Sequence, residues 1–195
     1  MARFRTGPQK KVQFGFGSGG VGAEKYKEVV GHYHTGVDYT NGYGKPIVSD
    51  NFGRVYKIEL PDESSSGWQG IYYYAWDAKE GTVEICQGHV SKVFVKDGDF
   101  VYPGKVIGLE GNFGEVYHNG VRITKEMREA GDKRGSHCHE QFRPFKKVKK
   151  VTKGKHYLNK DGKQYKDAQG FYFEISYDNE TRGCVDPHLF LKNSF

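Results

Sequence analysis

Metal-binding side chains fall in two tight clusters, His32, His34 and Asp38 early in the chain and His137 and His139 late. Catalytic zinc sites take three protein ligands from His, Asp, Glu or Cys and leave a fourth position for water. Between them the two clusters supply enough donors for one such site. Thr35-Gly36-Val37 separates His34 from Asp38, and the glycine permits a sharp bend that brings both side chains toward one point. SHCHEQFRP reads as a strand, on which alternate residues share a face. His137, His139 and Gln141 then point one way, Cys138 and Glu140 the other. One histidine of the pair can bind an ion while its neighbour handles a proton. A closed structural site would favour a cysteine-rich ligand set, whereas Cys138 faces away from the histidines. If Asp38 and two neutral histidines of these clusters held the ion, the site would keep a formal charge of +1, which favours an oxyanion forming against it. His118, His156 and His188 stand alone in sequence and read as surface or hydrogen-bonded residues.

Strands must position these groups. Glycine (27) and tyrosine (14) are abundant, and short Val, Ile, Phe and Tyr runs alternate with turn residues, which is the composition of a mostly β protein. Strands are expected around Ile47 and Val55, separated by a turn from Ser49 to Gly53. The polar stretch Pro61 to Gly70 reads as an exposed loop leading to an aromatic strand, Ile71 to Trp76. From Thr82 to Ile107 further strands turn tightly at Asp97-Gly98 and Pro103-Gly104. The best helical candidate is NGVRITKEMREAGDKRGS, where Ile123, Met127 and Ala130 fall at helical spacing and Gly131 can end the turn. It is short and peripheral. Residues 146–182 open with KKVKKVTKGK and read as a basic connector and hairpin, a solvated insertion. DPHLFL near the C-terminus can dock back on the sheet.

A chain of 195 residues fits a single domain carrying that insertion. Mean hydropathy is -0.76, and no apolar run approaches the ~20 residues of a membrane span. The net charge of +6 favours polyanions. Charge alone does not choose among nucleic acid, membrane surfaces and anionic wall polymers; no recognised nucleic-acid motif accompanies the cluster from Lys146 to Lys155, so nucleic acid is not expected, and the cluster can instead hold anionic wall polymers. MARFRTGPQKK lacks the apolar core of a secretory signal peptide, which predicts synthesis in the cytoplasm without that export route. Cys86, Cys138 and Cys184 are an odd number and make no disulfide framework. VQFGFGSGGVG contains GxGxxG at Gly15, Gly17 and Gly20, but a dinucleotide site needs a strand before it and a helix after. The next residues are AEKYKEVV, a short charged segment, and then another glycine.

HTGVD (His34 to Asp38), GHV (Gly88 to Val90), VKDGDFVYPGKVIGLEGN, GSHCH (Gly135 to His139) and DPHLFL together resemble the lysostaphin and LytM-type peptidoglycan endopeptidases. The likeness covers roughly residues 12–145 plus the C-terminus. It implies an antiparallel sheet with an open substrate groove and one Zn2+ per chain, held by His34, Asp38 and His139. It makes His137 the general base, and His89 the residue that orients water or stabilises the tetrahedral intermediate. The implied substrate is a bacterial peptidoglycan peptide, and the missing signal peptide suggests a phage lysin or virion-associated wall hydrolase. A non-catalytic wall-binding or phage-tail module is the alternative from another class, although such relatives typically lack a ligand and all are present here. KDGDFVYPGKVIG also resembles carrier-domain hairpins, without a displayed lysine to modify. The chain departs from the family pattern in three places. It has HCHEQF where an apolar residue usually separates the histidines and Phe-Glu follows them, and Gln87 where tyrosine is common. The stretch from Asn119 to Ser136 is long, and is expected to line one groove wall. Tyr26 and Tyr33 are candidate oxyanion donors.

Overall fold

The computed structural model describes residues 11–18, 22–49, 51–61, 67–77, 81–153, 155, 157, 159–160, 163–177 and 179–187. β1 (Lys11–Phe14) and β2 (Val37–Thr40) flank α1 (Ala23–Val30). Then come β3 (Pro46–Val48), β4 (Gly53–Glu59), β5 (Gly70–Asp77) and β6 (Gly81–Gly88), followed by β7 (Val90–Val93), β8 (Phe100–Val101) and β9 (Val106–Glu110). A small hairpin, β10 (Tyr117–His118) and β11 (Val121–Arg122), precedes α2 (Lys125–Glu129) and the long β12 (Cys138–Val148). A second hairpin, β13 (Asn159–Lys160) and β14 (Lys163–Gln164), leads to β15 (Tyr172–Ile175).

The larger sheet runs β1-β2-β12-β6-β5-β4-β8 with β15 also on β12, and its pairs are antiparallel. A smaller sheet, β3-β9-β7, packs on one face of it. Ile47, Val90 and Ile107 of the small sheet join Val55, Ile71, Tyr73, Ile85 and Phe142 of the large one in a single core. Alternation explains the two faces of β12. Cys138 and Phe142 enter that core, and His139, Gln141 and Arg143 are left for the other face. The mostly β expectation holds, as do the turns: Gly98 and Gly104 adopt φ of 85° and 90°, which glycine tolerates without a steric penalty.

Four local expectations change. AEKYKEVV is helical after all, bounded by Gly22 and Gly31 at φ 83° and 84°. The strand it leads to runs antiparallel to β1, so there is no βαβ unit, and Gly20 lies outside the described residues. The second helix shrinks to Lys125–Glu129, capped by Thr124, with no buried residue of its own. Ile123 is buried just before the cap, so the apolar spacing there reported a loop anchor rather than a helix face. The basic stretch is partly sheet: Lys146 and Lys147 belong to β12 and pair with Glu174 and Phe173 of β15. Tyr165, Phe173 and Ile175 pack with Tyr56 and Phe145 in a second core over the far end of the large sheet. Val185 N donates to Phe142 O at 3.0 Å, bringing the C-terminal segment onto β12. His188 to Leu191 of DPHLFL, and His156, lie outside the described residues.

Two departures from the family pattern cover one another. Gln87 and Glu140 face each other across β6 and β12. Gln87 Nε2 donates to Glu140 Oε1 at 2.7 Å, and Cys138 Sγ donates to Gln87 Oε1 at 2.8 Å. Glu140 Oε2 is buried and finds no partner among the described residues. Gln87→Leu removes the donor from an already under-satisfied carboxyl group, so denaturant unfolding should show a loss of about 1–3 kcal/mol. The pair Gln87→Leu with Glu140→Leu should recover most of it; a single mutant as stable as wild type would show that the contact carries no weight.

Candidate active site

β2 and β12 lie side by side with Asp38 opposite His139, and His34 just precedes β2, bridged to Gly17. His34 Nδ1 donates to Gly15 O at 2.9 Å; since a carbonyl only accepts, the neutral ring turns the lone pair of Nε2 inward. That Nε2 lies 3.0 Å from His139 Nδ1 and 3.2 Å from Asp38 Oδ1, and His139 Nδ1 lies 3.0 Å from the same oxygen. Donors ~2.0–2.2 Å from a tetrahedral ion stand roughly 3.3–3.6 Å apart. The triangle needs only a slight opening to accept zinc, and the donor set suits it. His34, Asp38 and His139 are also the one three-residue group among the described residues with metal-ligand atoms this close.

Gly36 sits in the expected bend just before β2 and serves a second purpose as well. Its φ is not left-handed. A Cβ there would come within 2.9 Å of both His139 Cε1 and the Glu140 carbonyl carbon. The missing side chain lets β2 and β12 approach closely enough for the donors to meet.

His137 and His89 complete the cluster. His137 Nδ1 donates to Gly135 O at 2.7 Å and His89 Nδ1 to Phe113 O at 2.5 Å, so each ring in its neutral form keeps Nε2 as an acceptor. His137 Nε2 is 3.6 Å from Asp38 Oδ2, and the two rings are 4.3 Å apart. Burial, then the neighbouring His137, hold His89 well below the usual histidine range, so it stays uncharged. Burial works against the charge of Asp38, but the nearby His137, and then His139 and His34, hold its carboxyl well below the usual carboxylate range. His89 also sits at φ 58°, a strained backbone for a non-glycine residue. Glu110 ties the two segments of the cluster together: it accepts from Thr40 Oγ1 at the end of β2, from Asn41 N and Gly42 N just beyond it, and from Ser136 Oγ beside His137, at 2.7–3.0 Å.

The family model described as peptidase family M23 matches residues 32–136, more than half of the chain, including His34, Asp38 and His89. The chain belongs to peptidase family M23. Among solved structures, lysostaphin from Staphylococcus simulans, described as an antimicrobial peptidase, is 18% identical over 94% of this chain and 49% of its own, with a TM-score of 0.50. Its catalytic domain alone gives 19%, 94%, 93% and 0.49 in the same order. A mutant catalytic domain of EnpA, a prophage-encoded M23 protein of Enterococcus faecalis, gives 22%, 72%, 85% and 0.48. The chain thus spans about half the length of full lysostaphin. At such identities the likeness is one of fold. A search of curated proteins finds no match.

In this M23 domain the cluster opens into a cleft of about 650 Å³. Tyr26 lines it with its ring 5.3 Å from His34; burial, then the charge of Asp38, push its hydroxyl up to about 12, so it remains a donor. Tyr33 does not line the cleft, and its hydroxyl donates to Glu24. His32 is a wall residue outside the converging donors, and His118 is exposed on β10. Glu115, Val116 and Tyr117 form a wall just before the long stretch expected there.

Trp68, in the loop before β5, is the main residue that the sequence pattern hid. Its ring lies edge-on to His89, 4.6 Å away, and its Nε1 donates to Tyr72 OH, which in turn donates to Glu59. A side chain at Gly88 would run into the Trp68 indole. Gly88→Ala should therefore displace Trp68 and loosen His89, lowering kcat by up to about 100-fold while metal content stays at wild type. Unchanged kcat would show that Trp68 does not hold His89. No motif marks Trp68, and its place beside GHV in space emerges only once β5 and β6 pair, with Gly70 opposite Gly88. Arg143 was within reach of sequence, one alternation beyond Gln141 on the same face.

Proposed function

We propose that the chain is a zinc-dependent endopeptidase that hydrolyses peptide bonds in bacterial peptidoglycan. The observation that carries this is the convergence of His34 Nε2, Asp38 Oδ1 and His139 Nδ1, with His137 and His89 beside them, at the floor of an open cleft. Family membership supports reading it as a peptidase site, and the sequence resemblance to peptidoglycan endopeptidases supports a wall peptide as substrate.

Zinc held by these three residues would polarise the scissile carbonyl and make water a nucleophile near neutral pH. His137, with Nδ1 fixed on Gly135 O, offers Nε2 to take a proton from that water and pass it to the leaving amine. His89, kept neutral by burial, orients the same water through Nε2. Tyr26, still protonated at neutral pH, can donate to the developing oxyanion from the cleft wall.

The test is digestion of purified peptidoglycan from several bacteria by the zinc-loaded protein, following new amino termini and identifying the products. Their appearance supports the proposal and names the bond. Wall binding without any cleavage, by a protein holding one zinc, would favour a non-catalytic binding module instead.

A further inference from the structure

Arg182 is one of three non-glycine residues at positive φ among the described residues, at 55°. Its turn is locked from behind. Arg182 N donates to Asn179 O at 3.1 Å and Gly183 N to Asn179 Oδ1 at 2.8 Å. The Thr181 hydroxyl lies 2.9 Å from both Asn179 Oδ1 and Cys184 O, and Asn179 Nδ2 donates to Cys184 O at 3.0 Å. Thr181, Gly183 and Cys184 are buried, and Arg182 alone of the four is exposed. A strained backbone maintained by surrounding structure is a common way of aiming a functional side chain. This one lines the same cleft as His34, His137 and His139.

The other charges of that cleft are already matched. Arg143 Nη1 pairs with Glu84 at 3.2 Å, Glu59 with Lys57 at 3.1 Å, Glu115 with Arg122 at 3.2 Å, and Asp38 with the histidines. No carboxylate pairs with the Arg182 side chain among the described residues. Its charge reaches Tyr26 and His32 on the adjoining wall, where it acts on the titration of both. The cleft therefore presents one unmatched guanidinium, carried on a backbone held in place, to whatever peptide occupies it, and a guanidinium is suited to bidentate recognition of a carboxylate.

We infer that Arg182 binds a free carboxylate of the peptide substrate, so that this cleft selects carboxylate-bearing wall peptides over uncharged ones such as oligoglycine. The inference rests on the proposed peptidase function and deepens it. Arg182 is a specificity residue, apart from the groups that handle the proton.

The experiment uses zinc-loaded His137→Ala protein, which keeps all three ligands, and measures calorimetrically its binding to a purified crosslinked muropeptide dimer. The same dimer with its carboxylates converted to carboxamides is the second probe. The carboxylate form should bind about tenfold more tightly, as one charge-assisted contact warrants. Adding Arg182→Gln should bring the two forms within about twofold and leave the carboxamide affinity unchanged, and Arg182→Lys should restore part of the difference. Equal binding of both forms, or a preference that survives Arg182→Gln, overturns the carboxylate assignment alone. If neither form binds, the inference and the wall-peptide function fall together.

Discussion

Asp38→Ala and His139→Ala proteins should emerge from zinc loading with less than about a tenth of the metal of wild type and no measurable peptidase activity. Each change removes one of three donors that meet within 3.2 Å, and a two-donor remnant binds zinc far more weakly. The losses should appear together in both variants, because Asp38 Oδ1 is the point at which both histidines converge. Chelation of wild type should reproduce the inactive state and zinc should reverse it, whereas zinc should not rescue either variant at stoichiometric concentration. Metal analysis and activity on one sample decide the matter. A variant that retains one tightly bound zinc would mean that other groups hold the ion, and the ligand assignment would be wrong.

His137→Ala should behave differently: near-stoichiometric zinc, with kcat reduced by about 10²–10⁴-fold and KM little changed. Its Nε2 approaches Asp38 only to 3.6 Å, outside the donor triangle, so its removal spares the ion. His89→Ala should also retain metal and lower kcat. The double variant should fall by less than the product of the single losses, because the two tilted rings, 4.3 Å apart, would act on the same water. If His137→Ala loses zinc along with activity, it is a ligand rather than a base. If kcat is unchanged with zinc in place, the proton passes through another group.

Much of the site was legible because its parts are local patterns. Alternation placed His137 and His139 on one face of a strand, and a short spacing joined His34 to Asp38. What escaped the sequence depends on pairing between distant strands. The need for glycine at position 36 is set by His139 and Glu140 across the sheet, and that at position 88 by Trp68. Glu140 had no evident partner until β6 brought Gln87 opposite it. The helix expected to begin near Asn119 gave way to a hairpin, because Asn119 and Gly120 take φ of 50° and 79°, the geometry of a tight strand turn. The lysines after Phe145 read as a solvated run because charge pattern alone cannot show that a later strand, β15, will extend the sheet beside them.

Glu110 carries a consequence for how the molecule breathes. Its carboxylate holds the amides of Asn41 and Gly42 and the hydroxyl of Ser136, yet it projects from β9 in the other sheet. Deuterium uptake at Asn41 and Gly42 must therefore wait for the two sheets to separate, not for the loop they occupy to fray. These loop amides should exchange as slowly as those of the central strands, and the end that carries the His-Asp-His cluster would be among the last parts of the fold to open.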